Sequence, residues 1–179
     1  MTIERALIPY PGSRPDGSGR IDITVDRESQ GCVAVTFKAS GFVGGVTLPE
    51  RGEPSHRDGL WEHTCCEVFA MRQDGSYAEF NLAPSADWAA YGFTGYRQDM
   101  SLLDAPRPRI RSRATDGGFV LEAFIPWRDW SEVVSIAVSA VIETPDGEKT
   151  YWALAHASDK PDFHHPGSFI LTPPVLDRP

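Results

Sequence analysis

Cys65-Cys66-Glu67-Val68-Phe69-Ala70-Met71-Arg72-Gln73-Asp74-Gly75-Ser76-Tyr77-Ala78-Glu79-Phe80-Asn81-Leu82 sets two runs of strand-favouring residues around an Asp-Gly pair. Asp-Gly between such runs signals a hairpin, because a tight turn needs positive φ at its central positions and these residues adopt it at low steric cost. With those two residues as the turn, Phe69 is expected opposite Phe80 and Glu67 opposite Leu82. Alternation then places Glu67 on one face with Phe69, Phe80 and Leu82, and Glu79 and Asn81 on the other with Val68. In that register Glu67 is a buried carboxylate, which must be paired, hydrogen-bonded or protonated, and it reads as a structural anchor for a loop or for the His63 or Trp61 backbone. A bulge reverses the assignment.

Outward from this hairpin the chain alternates with period two and nowhere holds a helical period for three turns without meeting Gly or Pro. The strands expected are Ile21 to Asp26, Cys32 to Lys38, Thr64 to Met71, Tyr77 to Ala83, Trp88 to Phe93, Arg109 to Arg113, Phe119 to Ile125, Val134 to Glu143, Thr150 to Ala155 and Ser168 to Thr172. Asp16-Gly17, Gly44-Gly45, Pro84, Gly117-Gly118, Pro126 and Asp146-Gly147 separate them, and Asp146-Gly147 suits a second hairpin. Trp127-Arg128-Asp129-Trp130 after Pro126 suits one helical turn whose indoles lid the core. Thr47 to Asp58 reads as a long polar loop, and the tail after Thr172 as an extended strap. Short strands with turn signals and no intervening helices predict an all-β fold, a two-sheet antiparallel β-sandwich or jelly roll, as one domain over residues 1–179.

Composition narrows the function. A formal net charge of −8, with 17 Lys and Arg scattered singly, opposes a nucleic-acid backbone and an anionic membrane surface. No apolar run of about 18 residues is present to span a bilayer. Glu4, Arg5, Pro9 and Pro11 interrupt any signal-peptide core, so a cytoplasmic location is expected. Three cysteines, two of them adjacent, make no ordinary disulfide framework and read as free, largely buried thiols.

Aromatic and polar residues gather in three stretches: Leu60-Trp61-Glu62-His63-Thr64-Cys65-Cys66-Glu67-Val68-Phe69, then Tyr77-Ala78-Glu79-Phe80-Asn81 with Trp88, then Tyr151-Trp152-Ala153-Leu154-Ala155-His156 through Lys160-Pro161-Asp162-Phe163-His164-His165. The first two resemble the core hairpin of DOMON-like domains, relatives of the family 9 carbohydrate-binding modules, and the third is similar to runs in a bacterial DOMON-like group. The resemblance spans roughly Leu60 to Thr172. It implies a jelly-roll sandwich, binding sugars in some relatives and haem in others. Family 9 modules carry an acidic residue about three positions before the Glu that matches Glu67; Thr64 stands there, which removes support for their calcium-linked and sugar-linked details. Those modules clasp a sugar between two tryptophans, for which Trp61 and Trp152 are the nearest by position.

Independently of the resemblance, a pyranose ring offers an apolar face to an aromatic plate while its hydroxyls need carboxylate, amide or imidazole partners. Trp61, Trp88 and Trp152 are the candidate plates; His63, Glu79, Asn81, His156, Lys160, Asp162 and His164 are the candidate polar contacts. The reading is a small-ligand binding module for a saccharide or sugar derivative, with no resident cofactor and an open oligomeric state. The alternatives carry less. Neither Cys65 nor Cys66 lies in a nucleophile signature. On one extended strand His63 and Glu67 lie about 13 Å apart, too far to share a metal, although His156 with His164 or His165 leaves open a metal- or Glu/His-dependent enzyme. Haem ligation through Met71 or Met100 with His63 or His156 lacks a Met-His motif, and an exposed sheet edge serving an interaction module is a further reading.

Overall fold

The computed structural model describes residues 2–13, 18–29 and 31–174. Eleven strands follow in chain order: β1 (Ile3–Pro9), β2 (Arg20–Ser29), β3 (Cys32–Ser40), β4 (Cys65–Arg72), β5 (Tyr77–Leu82), β6 (Trp88–Phe93), β7 (Ser101–Leu102), β8 (Arg109–Thr115), β9 (Gly118–Pro126), β10 (Val133–Glu143) and β11 (Lys149–Ala153). They form one antiparallel sheet in the order β7-β6-β5-β4-β10-β11-β1-β2-β3-β9-β8. Among the described residues the only helical pieces are three short 3-10 turns, and no helix is long and apolar enough to cross a membrane.

The strand β1 joins the two limbs of this sheet. Ile3 to Leu7 pair with Val25 to Ile21 of β2, whereas Ile8 and Pro9 pair with Ala153 and Trp152 of β11. The sheet curls so that apolar side chains of both limbs meet: Val35, Phe37 and Leu121 from one and Val68, Phe80, Val138 and Ile142 from the other share one buried cluster. Burying such side chains contributes about 1.5–3 kcal/mol each before the cost of ordering them. Trp127, at the entry to the 3-10 turn Arg128–Glu132, and Trp130 within it close the end of this core, both fully buried, with rings 5.6 Å apart and the Trp130 indole N–H donating to the Ile125 carbonyl at 2.9 Å. The lid expected from the Trp-Arg-Asp-Trp run is present.

Nine of the expected strands form. Ser168 to Thr172 does not, its backbone joining the sheet through an isolated bridge from Leu171 to Ile136. Two strands were not foreseen: β1, whose Glu4 and Arg5 blur its alternation, and the two-residue β7. The Asp16-Gly17 turn and residues 175–179 of the expected strap lie outside the described residues.

The larger correction concerns the first hairpin. Phe69 lies opposite Glu79, Val68 opposite Phe80 and Glu67 opposite Asn81, one residue away from the two-residue-turn register. Arg72 N–H donates to the Ser76 carbonyl at 2.9 Å and Gly75 N–H to the Arg72 carbonyl at 3.1 Å, with Gly75 at φ 85°. The turn is therefore the three residues Gln73-Asp74-Gly75, whose left-handed glycine is the usual bulge closing such a loop. The Asp74 carboxylate holds it by accepting from Ser76 N–H at 3.0 Å and from the Ser76 hydroxyl at 2.6 Å. Pro145-Asp146-Gly147 repeats the arrangement between β10 and β11, with Thr144 N–H donating to the Glu148 carbonyl at 2.9 Å.

Because side chains alternate, this one-residue difference moves a whole set of residues across the sheet. Cys66, Val68 and Ala70 of β4 and Ala78, Phe80 and Leu82 of β5 enter the main core. Glu67, Phe69, Tyr77, Glu79 and Asn81 share the outer face.

Close packing between β3 and β9 gives the first prediction. A Cβ on Gly118 would stand 2.1 Å from the Ala39 carbonyl oxygen, whereas one on Gly52 meets nothing within 4 Å. Gly118→Ala is expected to destabilise the fold by about 1–3 kcal/mol or more and Gly52→Ala by less than about 0.5 kcal/mol, both measured by urea unfolding.

Candidate functional site

The outer face of the β6-β5-β4-β10 limb is as buried as its core face, because three segments cover it. Ser55 to Asp58 follow the β6 edge: Trp88 N–H donates to the Ser55 carbonyl at 3.1 Å and Arg57 N–H to the Trp88 carbonyl at 2.9 Å. This brings Asp58 to the Tyr91 hydroxyl, which donates to its carboxylate, and brings Trp61 edge-on to the Tyr91 ring at 6.0 Å. The turn after β6 supplies Tyr96 and Arg97. The segment after β11 returns across the sheet, and its Phe169 packs on Phe69 and Tyr77 at 6.1 and 5.6 Å.

Asp162 ties two of these covers together. Its carboxylate, almost fully buried, accepts from the Tyr96 hydroxyl, from Arg97 Nη2 at 2.8 Å and from His164 N–H at 3.2 Å. These three donors hold the Asp162 carboxyl below its ordinary range against the opposing effect of burial.

Between the covers and the sheet lies a cavity of about 330 Å³, within the usual size range of small-molecule pockets. Its floor carries Glu67 from β4, Glu79 from β5, Tyr91 and Phe93 from β6, Val141 from β10 and Tyr151 from β11; its walls are Trp61, Arg97, Met100, Pro161, Phe163 and His164.

Glu67 and Glu79 are diagonal neighbours across the β4–β5 ladder. Glu67 accepts from the Ser139 hydroxyl at 2.9 Å, and Glu79 accepts from Asn81 Nδ2 at 2.7 Å. Asn81 is itself steadied by the Cys65 thiol, 3.8 Å from its Oδ1. Burial pushes both carboxyls well up, and the charge of Glu79 adds to the effect on Glu67. Burial also pushes the Cys65 and Cys66 thiols well up, which keeps them protonated and poor nucleophiles.

His164 completes the polar set. The Tyr77 oxygen accepts from Arg97 N–H at 3.1 Å, and the Tyr77 hydroxyl shares a hydrogen bond with His164 Nδ1 at 2.9 Å. In the tautomer where Tyr77 donates, the ring proton is on Nε2, which lies 3.7 Å from Glu79 Oε2. Burial lowers the His164 pKa to about 4, so the ring is neutral at neutral pH and its approach to Glu79 is no ion pair.

The structure gathers Trp61, Glu79 and His164 from the expected set, with Asn81 and Asp162 one bond behind them. The expected Trp61–Trp152 clasp is not formed. Trp152 is 1% exposed in the main core, edge-on to Phe42 at 5.6 Å, with its indole N–H donating to Thr150 Oγ1 at 2.8 Å. Trp88 likewise packs against the core and against His56 at 5.0 Å. Both indoles are on the wrong face by strand parity; Tyr91 and Tyr151 hold the equivalent positions on the cavity side.

His63 is exposed and donates to the Glu143 carboxylate at 2.8 Å, and His156 donates to the Ile8 carbonyl at 2.9 Å. Neither lines the cavity, nor does exposed Lys160. Glu67, expected to anchor a loop, instead lies on the cavity floor.

Arg97, Tyr91, Tyr151 and Phe163 were not singled out in the sequence. The parity of two hairpins marks the tyrosines, Glu79 lying opposite Tyr91 and Val141 opposite Tyr151. Arg97 and Phe163 sit in loops, where no periodicity points to them. Among the described residues no group of three or more His, Cys, Asp or Glu side chains is arranged to hold a metal ion.

The raised carboxyls give the second prediction. A carboxyl kept protonated by the fold binds more protons than the unfolded chain at any pH above its ordinary value of 4.5 and below its raised folded value. Stability therefore falls as pH rises through that window. Glu67→Gln, which keeps the shape without the charge, is expected to melt higher than the wild type at alkaline pH, with the difference shrinking as pH falls towards 4.5.

No protein-family model matches the chain, and no curated protein matches it. Among solved structures it is similar to a "putative carbohydrate-binding protein" from Bacteroides uniformis, over 93% of this chain and 84% of that one, with a TM-score of 0.67 at 13% identity. At that identity the likeness shows a shared fold.

Proposed function

We propose that the protein is a DOMON-like binding module that holds a saccharide in the outer-face cavity of a jelly-roll-type sheet. The observation that carries this reading is the cavity itself, where aromatic rings and hydrogen-bonding groups converge on one space of about 330 Å³. Trp61, Tyr91, Tyr151 and Phe163 offer flat apolar faces to the C–H side of a sugar ring. Glu67, Glu79, Arg97 and His164 offer acceptors and donors to its hydroxyls. A hydroxyl placed between His164 Nε2 and Glu79 Oε2 accepts from the first and donates to the second, groups that are 3.7 Å apart without it.

The description of the Bacteroides uniformis protein as carbohydrate-binding supports the same reading. Asn81 and Asp162 act in it as positioning residues, the first for Glu79 and the second for Arg97. The free thiols of Cys32, Cys65 and Cys66 suit a reducing cytoplasm.

Titration calorimetry over a panel of monosaccharides, oligosaccharides and muropeptides tests the proposal. At least one compound is expected to bind, and Trp61→Ala to weaken it by about tenfold or more, as for a central aromatic contact. Trp152→Ala is expected to lower stability by about 3–5 kcal/mol instead. Silence across the whole panel contradicts the assignment.

A further inference from the structure

Saccharide binding by itself does not account for the acidic groups around this cavity. Two carboxyls line it, from Glu67 and Glu79, with the single guanidinium of Arg97, and a third carboxyl, Asp162, stands behind that guanidinium. That guanidinium is bound to Asp162 at 2.8 Å. Glu67 and Glu79 form no ion pair with a Lys or Arg among the described residues, although the Arg97 charge acts on both, and their hydrogen bonds come from neutral donors, Ser139 and Asn81, each on one oxygen.

The remaining oxygens are the informative ones. Glu67 is 3% exposed, and its second oxygen has no hydrogen-bond partner among the described residues. The second oxygen of Glu79 faces only the neutral His164 ring, at 3.7 Å. Neither oxygen is a sealed, unpaired atom among the described residues, so each opens onto the cavity, where a donor from a bound molecule can complete it.

A separate feature points to the same complement. Trp61, Tyr91, Tyr151 and Phe163 line the cavity, and aromatic faces attract cations electrostatically, most strongly where water is excluded. The carboxyls come from the sheet floor, whereas Trp61 and Phe163 come from the covering segments. Acceptors whose one nearby cation, Arg97, is already bound to Asp162, beside rings that favour a cation, are the chemistry that recognises an ammonium group.

We propose that the cavity selects saccharides carrying a protonated primary amine, Glu67 and Glu79 receiving the ammonium while the aromatic walls hold the sugar ring. This rests on the saccharide reading above and names the class within it. The titratable groups facing the pair are Cys65 on β4, Tyr77 on β5, Tyr91 on β6, Tyr151 on β11, and Arg97, Asp162 and His164 from the covering segments. Arg97 alone among them is cationic at neutral pH. An arriving ammonium favours ionisation of both glutamates, so binding expels protons held by the pair, whereas a neutral sugar leaves them in place.

Titration calorimetry of the full chain with glucosamine, N-acetylglucosamine and glucose, at neutral pH in two buffers of different ionisation heat, tests this. Glucosamine is expected to bind about tenfold to a hundredfold tighter than the other two, the range of one charge-assisted contact, with net proton release. Glu67→Gln and Glu79→Gln are expected to abolish that preference while retaining cooperative thermal melts. Equal affinity for all three sugars without proton release, or a preference that survives both substitutions, overturns the inference and leaves the saccharide reading standing. Binding of 1,4-diaminobutane with all three sugars silent overturns the saccharide reading and this inference with it.

Discussion

Gly75 stands at φ 85°, a backbone region that residues with a Cβ enter only at a steric cost, and through it Arg72 pairs with Ser76 across a three-residue turn. That pairing decides which side chains of β4 and β5 face the main core. A turn shorter by one residue, with the rest of the ladder unchanged in spacing, would bring Glu67 onto the same face as Phe80 and Leu82. The ordering of the cavity, the coupling of its carboxyls and the separation of apolar from polar faces all depend on this register.

Given the register, the outer face of the limb carries two acidic side chains and an amide on strands that are otherwise apolar, and the fold does not leave them to water. Loops lie over them, held by Asp58 under Tyr91 and by Asp162 under Tyr96 and Arg97. The two kinds of acid are handled differently. Asp162 has a guanidinium, a phenol and a backbone N–H as donors and stays ionised; Glu67 and Glu79 have one neutral donor each and are pushed towards the protonated form. Replacing that pair with apolar residues would suit stability, because a buried carboxyl without full hydrogen bonding is unfavourable. Its presence beside an open volume and a set of aromatic rings is what gives the cavity a chemical preference.

The all-β class was legible because period-two alternation and turn residues are local signals, and most strands, both hairpins and the Trp127–Trp130 lid could be read from them, whereas the expected division into two sheets could not, the strands joining in one sheet through β1. Register was not legible, since Asp-Gly serves equally in two-residue and three-residue turns and only the tertiary pairing distinguishes them. The same ambiguity governed the site. Trp88 and Trp152 were natural choices by residue type, yet each belongs to the core face, and the smaller aromatics Tyr91 and Tyr151 reach the cavity. Glu79, His164 and Trp61, taken from the dense polar-aromatic stretches, do line one cavity. Arg97 was not singled out, because a loop cation has no periodic context, and its role depends on Asp162, which is 65 residues away in the chain.

The most direct measurement is a carbon-13 NMR titration of the glutamate carboxyls, assigned with Glu67→Gln and Glu79→Gln. Both should titrate above the ordinary value of 4.5, and removing the Glu79 charge should lower the titration point of Glu67. Two carboxyls titrating near 4.5, each indifferent to loss of the other, would contradict a buried, coupled pair on a single face and with it the cavity described for this protein.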